Sequence, residues 1–144
     1  MVSTSGLIAP LLLPAFLLAS AGCNGKNENA LKVESSHVRL LTNLHGLASS
    51  KLGHAPRDEQ DFKQGIAAAH MSPEKLKVGS IDELFVSERD GQPLVVVYGT
   101  PPKNSDVVVY ERAGVNGKRQ IGHRIGMVEE VDETHFNELV PGTH

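Results

Sequence analysis

Val107-Val108-Val109-Tyr110-Glu111-Arg112-Ala113-Gly114-Val115-Asn116-Gly117-Lys118-Arg119-Gln120-Ile121-Gly122-His123-Arg124-Ile125 is the stretch whose reading decides the fold. It predicts two strands, Val107 to Tyr110 and Arg119 to Ile125, around a turn at Asn116-Gly117. That dipeptide is a strong hairpin signal because both central positions of the tight primed turn need positive φ. Upstream, Leu84-Phe85-Val86 and Leu94-Val95-Val96-Val97-Tyr98 flank Asp90-Gly91 and read as another strand pair, and Pro101-Pro102 marks the loop that follows. Downstream, Gly126 interrupts the pattern before Met127-Val128. Asp132 is then placed to cap a last helix through Leu139, with Val131 and Phe136 in the staple positions around the cap.

The first half has a different period. Val33, Leu40, Leu41, Leu44, Leu47 and Ala48 recur at three- and four-residue steps. They predict an amphipathic helix from Leu31 to about Leu52, stopped by Gly53 in the left-handed position that ends helices. Asp58 can cap a second helix through Phe62 and Ile66, with Glu59 and Asp61 favourably placed against its dipole. Ser72-Pro73 starts a short third element from Glu74 to Lys77. Helices, then an antiparallel meander, then a closing helix make the fold class α+β. The Leu40, Leu44 and Leu47 stripe is expected to be buried against the sheet.

Ahead of this domain, Leu7 to Ala19 form an apolar run of signal-peptide length, followed by Ser20, Ala21 and Gly22 and then Cys23, the one cysteine of the chain. Pro10 and Pro14 interrupt a run already shorter than the roughly 20 apolar residues that span a bilayer. The arrangement resembles the lipobox of bacterial lipoproteins. Ser20 stands where that family usually has leucine, and Met1 to Ser5 lack its basic residues. The resemblance implies cleavage between Gly22 and Cys23 and acylation of the Cys23 sulfur by several chains. At about 0.8 kcal/mol per buried methylene these would anchor the protein durably. The expected organisation is a signal peptide over 1–22, the lipidated cysteine and a spacer over 23–30, and one α+β domain over 31–144. Secretion without a lipid is the alternative.

A second resemblance rests on Leu84 to Val140. Phe85-Val86-Ser87, Asp90-Gly91-Gln92-Pro93, Gly117-Lys118-Arg119 and Val128-Glu129-Glu130-Val131 are similar to small lipoproteins of planctomycete-type bacteria, and faintly to pilin-like proteins. The latter share a long N-terminal helix followed by an antiparallel sheet, and their last hairpin often reads Asp-Gly-His-Val where this chain has Ile125-Gly126-Met127-Val128. The prepilin cleavage motif is absent, so pilus assembly is not implied, and the resemblance brings no activity with it.

Composition narrows the function classes. With 14 basic and 17 acidic residues and a net charge of -3, the chain has no clustered basic surface for nucleic acid or anionic lipid. Four Phe, two Tyr and no Trp argue against an aromatic stacking platform. A lone cysteine excludes an intrachain disulfide, so packing must stabilise the domain even in an oxidising compartment. About 122 residues beyond residue 22 suffice for one core.

Three chemical motifs compete with structural readings. His37, His45, His54, His70, His123, His135 and His144 raise a metal-binding alternative, a periplasmic protein using dispersed histidines, but no two have a preset ligand spacing. His37 and His45 lie about 12 Å apart if both are helical. Ser72-Pro73-Glu74-Lys75 matches Ser-x-x-Lys, in which lysine activates a serine nucleophile, yet Ser-Asp-Asn and Lys-Thr-Gly are missing and Ser72 already serves as a cap. Gly114 to Lys118 would be a phosphate loop only with glycine at Arg112 and a hydroxyl at Arg119. Glu129, Glu130, Asp132 and Glu133 lack calcium-loop spacing. The expectation is an envelope protein facing the periplasm or exterior, with a binding or structural role, no catalytic or metal-binding residues, no cofactor, and an envelope protein as a further partner.

Overall fold

The computed structural model describes residues 36–142. Helix α1 (His37–Leu52) is capped by Ser36, whose side chain accepts from the Arg39 amide, and ends at Gly53 with φ 77°. Helix α2 (Glu59–Ala68) is capped by Asp58 through the Asp61 amide. The one-turn α3 (Pro73–Leu76) has Ser72 as cap and proline in its first turn. Four strands, β1 (Leu94–Val96), β2 (Val107–Glu111), β3 (Lys118–His123) and β4 (Val128–Asp132), form an antiparallel sheet in the order β1-β2-β3-β4. Helix α4 (Glu133–Leu139) closes the fold from its Asp132 cap. The α+β class therefore holds, with helices first, then a meander, then a short helix.

The β2–β3 connection follows the sequence. Val115 and Lys118 exchange backbone hydrogen bonds of 2.9 and 3.1 Å, and Asn116 and Gly117 both have positive φ, 54° and 71°. That is the backbone a two-residue primed turn demands.

Three expectations need correction. Leu84-Phe85-Val86 is not a strand. Asp82–Phe85 is a 310 turn, and only Val86 bridges to the sheet edge, opposite Pro93. The local polar residues explain this: Ser80 Oγ accepts from the Glu83 amide (3.3 Å) and Glu83 Oε2 accepts from the Gly79 amide (2.8 Å), which stabilises a turn in place of an extended backbone. Leu84, fully buried, is its apolar anchor. Two strands are also shorter than expected. β1 ends at Val96, and β3 ends at His123, where a turn centred on Gly126 (φ 89°) begins. Finally, the buried face of α1 is Val38, Leu41, Thr42, Leu44, His45 and Ala48, whereas Leu47 is 36 % exposed and sits on its rim. The expected helical start at Leu31 and the position Val33 lie outside the described residues.

The sheet is covered on both faces. Val38, Leu41, Leu44 and Ala48 of α1 join Phe62 and Ile66 of α2, Leu84, Val108 and Val109 in one cluster. Val107, Tyr110, Ile121, Val131, Phe136 and Val140 form the second, beneath α4. A register shift between Val107 and Val109 lets the neighbouring Val108 and Val109 both contribute to the first cluster. That bulge makes β2 buried along its whole length despite its period of two. Two close approaches set the helix positions. A Cβ at Gly65 would stand 2.6 Å from the Ala48 Cβ, so α1 and α2 pack there without room for a methyl. A Cβ at Gly122 would overlap Thr42 Oγ1, so α1 rests directly on the β3 backbone.

Candidate functional site

Gly22 and Cys23 lie outside the described residues, so the expected cleavage and lipidation positions carry no structural description here. The other sequence-singled residues can be placed. Ser72 Oγ accepts from the Lys75 amide (3.5 Å), while Lys75 Nζ donates to the His70 carbonyl (2.7 Å), so the lysine reaches a backbone oxygen. The four carboxylates near β4 are used separately. Glu129 binds His123, Glu130 binds Arg89, Asp132 caps α4, and Glu133 meets Arg119 at 2.9 Å. Among the described residues no group of three or more His, Cys, Asp or Glu is gathered as a metal site.

The histidines separate into distinct environments. His45 is 4 % exposed, edge-on to Phe62 with ring centroids 5.7 Å apart, and its Nε2 has no hydrogen-bond partner. Burial pushes its pKa down, opposed by the Val97 carbonyl and assisted by the charge of Arg124. His123 is equally buried but held on both sides. Nδ1 lies 2.7 Å from Asp106 Oδ1 and Nε2 2.8 Å from Glu129 Oε1. Burial lowers its pKa, but the hydrogen bonds and charges of the two carboxylates outweigh that and raise it. Only an imidazolium can donate to both, so the arrangement favours a charged ring with neither nitrogen free to take up a proton.

A second polar cluster was not foreseen from sequence. Glu111, 1 % exposed, accepts from Ser87 Oγ at 2.9 Å, the Gln120 amide at 2.8 Å and Arg89 Nη1 at 3.1 Å. Arg89 Nη2 reaches Glu130 at 2.8 Å. Burial raises the Glu111 pKa, with the Gln120, Ser87 and Arg89 contacts pulling it back. A buried carboxylate of this kind is a reason to look for chemistry. Here its donors fasten the 86–92 loop to the sheet. The only hint in the sequence was a charged residue ending an otherwise apolar strand.

The remaining feature is a surface at the start of α1, where two loops meet the first turn of the helix. The His37 ring nitrogen Nδ1 lies 2.6 Å from the Val86 carbonyl, and the His37 amide donates to Glu88 at 3.2 Å. On the other side Arg39 Nη1 donates to the Gly126 carbonyl at 2.7 Å. Gly126 sits in the β3–β4 turn, closed by His123 and Met127 backbone bonds of 2.8 Å and tied to the β2 approach by the Arg124 amide donating to Asp106. Four large apolar residues are exposed among the described residues: Leu47, Val86 (40 %), Ile125 (80 %) and Met127 (46 %). Three of them belong to these two loops. Val86 lies opposite Pro93 at the Leu94 end of β1, whereas Ile125 and Met127 lie in the turn beyond the other end of the sheet, past the row of Val96, Val109, Gly122 and Val128.

No protein-family model, curated protein or solved structure matches this chain.

Proposed function

We propose that this chain is a lipid-anchored protein of the cell envelope, held at a membrane through Cys23 and facing the periplasm or exterior, whose α+β domain has a binding or structural role. The observation that carries the reading is the lone Cys23 directly behind Ser20-Ala21-Gly22 at the end of the apolar run Leu7 to Ala19. No helix of the described residues is long and apolar enough to cross a membrane, which fits attachment by a lipid. A binding or structural role is supported by the use of the reactive side chains. His123, Glu111, Ser72 and Lys75 are all engaged in hydrogen bonds within the domain.

Metabolic labelling with a palmitate analogue tests the anchor. Label is expected on the wild-type chain and lost in Cys23→Ala. Its equal absence from both rejects the reading.

A further inference from the structure

Two buried histidines hold the same end of the sheet and require opposite states of charge. That end lies beyond the row of Val96, Val109, Gly122 and Val128, where the 97–106 loop leaves β1 and the 124–127 turn joins β3 to β4. Loop and turn are bound to each other, since the Arg124 amide donates to the Asp106 carbonyl at 2.7 Å. His45, from α1, meets the loop at its first residue. Its ring donates to the Val97 carbonyl, and Nε2 has no partner. His123, the last residue of β3, meets the loop at its last residue, with Nδ1 2.7 Å from Asp106 Oδ1 and Nε2 2.8 Å from Glu129 Oε1.

The surroundings fix what each ring must be. To His45, α2 presents the Phe62 ring, the end of β1 the Val97 carbonyl, and the β3–β4 turn the cation Arg124. A proton on Nε2 would add a buried donor without an acceptor and a second positive charge facing Arg124, so the site accepts the neutral ring and rejects the imidazolium. His123 faces Asp106 from the approach to β2 and Glu129 from β4, and loss of its proton deprives one of the two carboxylates of its donor. Burial lowers the His45 pKa. Burial also acts to lower that of His123, where the two carboxylates outweigh it and raise it.

We propose that the 97–106 loop and the 124–127 turn form a pH-gated end of the domain, closed while His45 is neutral and His123 charged, and released from a sheet that stays folded when pH moves to either side. Acid frees the loop at Val97. Alkali frees it at Asp106, together with the turn. Release at Val97 lifts Val97 and Tyr98 from the apolar clusters against which they pack, so the acid-opened end offers an apolar surface that the closed end hides. The gate needs nothing from Cys23.

Amide hydrogen exchange in the full chain carrying Cys23→Ser, corrected for the intrinsic effect of pH on exchange and followed from about pH 5 to about pH 8.5, tests the gate. The reporters are the Val97, Gly99 and Arg124 amides, which donate to the Val108, Pro56 and Asp106 carbonyls at 2.8, 2.8 and 2.7 Å. The controls, at the other end of the sheet, are the Ser87 and Gly91 amides, which donate to the Gln92 and Ser87 carbonyls at 2.8 and 2.9 Å. The opening constants at Val97 and Gly99 should rise by up to about tenfold for each pH unit below 6.5, and that at Arg124 by up to about tenfold for each unit above it, while Ser87 and Gly91 stay level. His45→Phe should abolish the acid rise alone and His123→Gln the alkaline rise alone, with His45→Met in place of the phenylalanine variant if that does not fold. A level response at all three reporters overturns the gate. An equal rise at Ser87 and Gly91 means unfolding of the whole domain and overturns it too, as does an acid rise that survives the loss of His45.

Discussion

Replacing Gly122 by alanine tests the contact that sets the height of α1 above the sheet. Gly122 lies in β3 opposite Val128 and Val109, in ordinary strand backbone, so alanine brings no left-handed strain. The added methyl would fall on Thr42 Oγ1, with Thr42 Cβ and Cγ2 at 3.0 and 3.1 Å. Thr42 is 2 % exposed and donates to the Val38 carbonyl at 2.6 Å, so its side chain has no free rotation by which to yield. Overpacking of this kind costs about 1–3 kcal/mol, reduced by the roughly 0.4–1 kcal/mol that losing a glycine from the unfolded chain returns. The net loss is about 1–2 kcal/mol. With a urea m-value of about 1–3 kcal/mol/M, the midpoint should fall by about 1 M. Thr42→Ala alone removes a methyl and a hydroxyl that bonds within the helix, at about 1 kcal/mol. The double variant deletes Oγ1, the atom on which the new methyl falls, together with Cγ2, leaving only Cβ at 3.0 Å, so it should cost at least about 1 kcal/mol less than the sum of the singles. Equilibrium urea unfolding of the four proteins, each in a Cys23→Ser chain, measures this. Additivity within about 0.5 kcal/mol, or an unchanged midpoint for Gly122→Ala, would refute the reasoning.

The two buried histidines should give opposite pH signatures. The His45 pKa is depressed below 6.5 in the fold, so the unfolded chain takes its proton first, and stability is lost as pH falls from about 6.5 towards the folded value. His45→Phe should flatten that acid-side loss in urea midpoints taken between pH 5 and 8, and an unchanged slope would count against it. The His123 pKa is raised, so its contribution is complete below 6.5 and fades as pH rises through the folded value. His123→Gln should therefore cost more at pH 5.5 than at pH 8.5, and an equal cost at both would mean that the ring is neutral. Glu111→Leu strands Ser87, the Gln120 amide and Arg89, and should cost about 3–5 kcal/mol, with Glu111→Gln milder. If the leucine variant is as stable as wild type, the network contributes nothing net.

Most of the element order was legible because it is written in local chemistry. Gly53, Asp58, Ser72, Asp132 and the Asn116-Gly117 pair each do in the structure what their residue type requires of the backbone at that place. The staple of Val131 and Phe136 was readable for the same reason, and both residues meet in the cluster beneath α4. What was not legible depends on distance in sequence. The 310 turn at Asp82–Phe85 won over a strand because Ser80 and Glu83 bond to nearby backbone, a competition that an apolar triplet hides. His45 replaced Leu47 on the buried face of α1 because Phe62 and Val97 arrive there from other elements. The partners of Glu111 and His123 come from as far as 24 and 17 residues away, so no spacing rule could have joined them.

That use of polar residues bears on where function resides. Asp106, His123 and Glu129 hold the base of the β3–β4 turn, while Glu111, Arg89 and Ser87 hold the 86–92 loop. The two polar networks thus secure the same two loops that grip the first turn of α1 and carry Val86, Ile125 and Met127. Exposed loops without such support lose order at little cost, and a domain with no other use for these residues would gain little by burying a carboxylate and charging a histidine. Their expense is understandable if the loop positions matter. The chain therefore concentrates its buried polar chemistry on holding two loops, at opposite ends of the sheet, against α1, and substitutions at His123 or Glu111 should loosen those loops before they unfold the core.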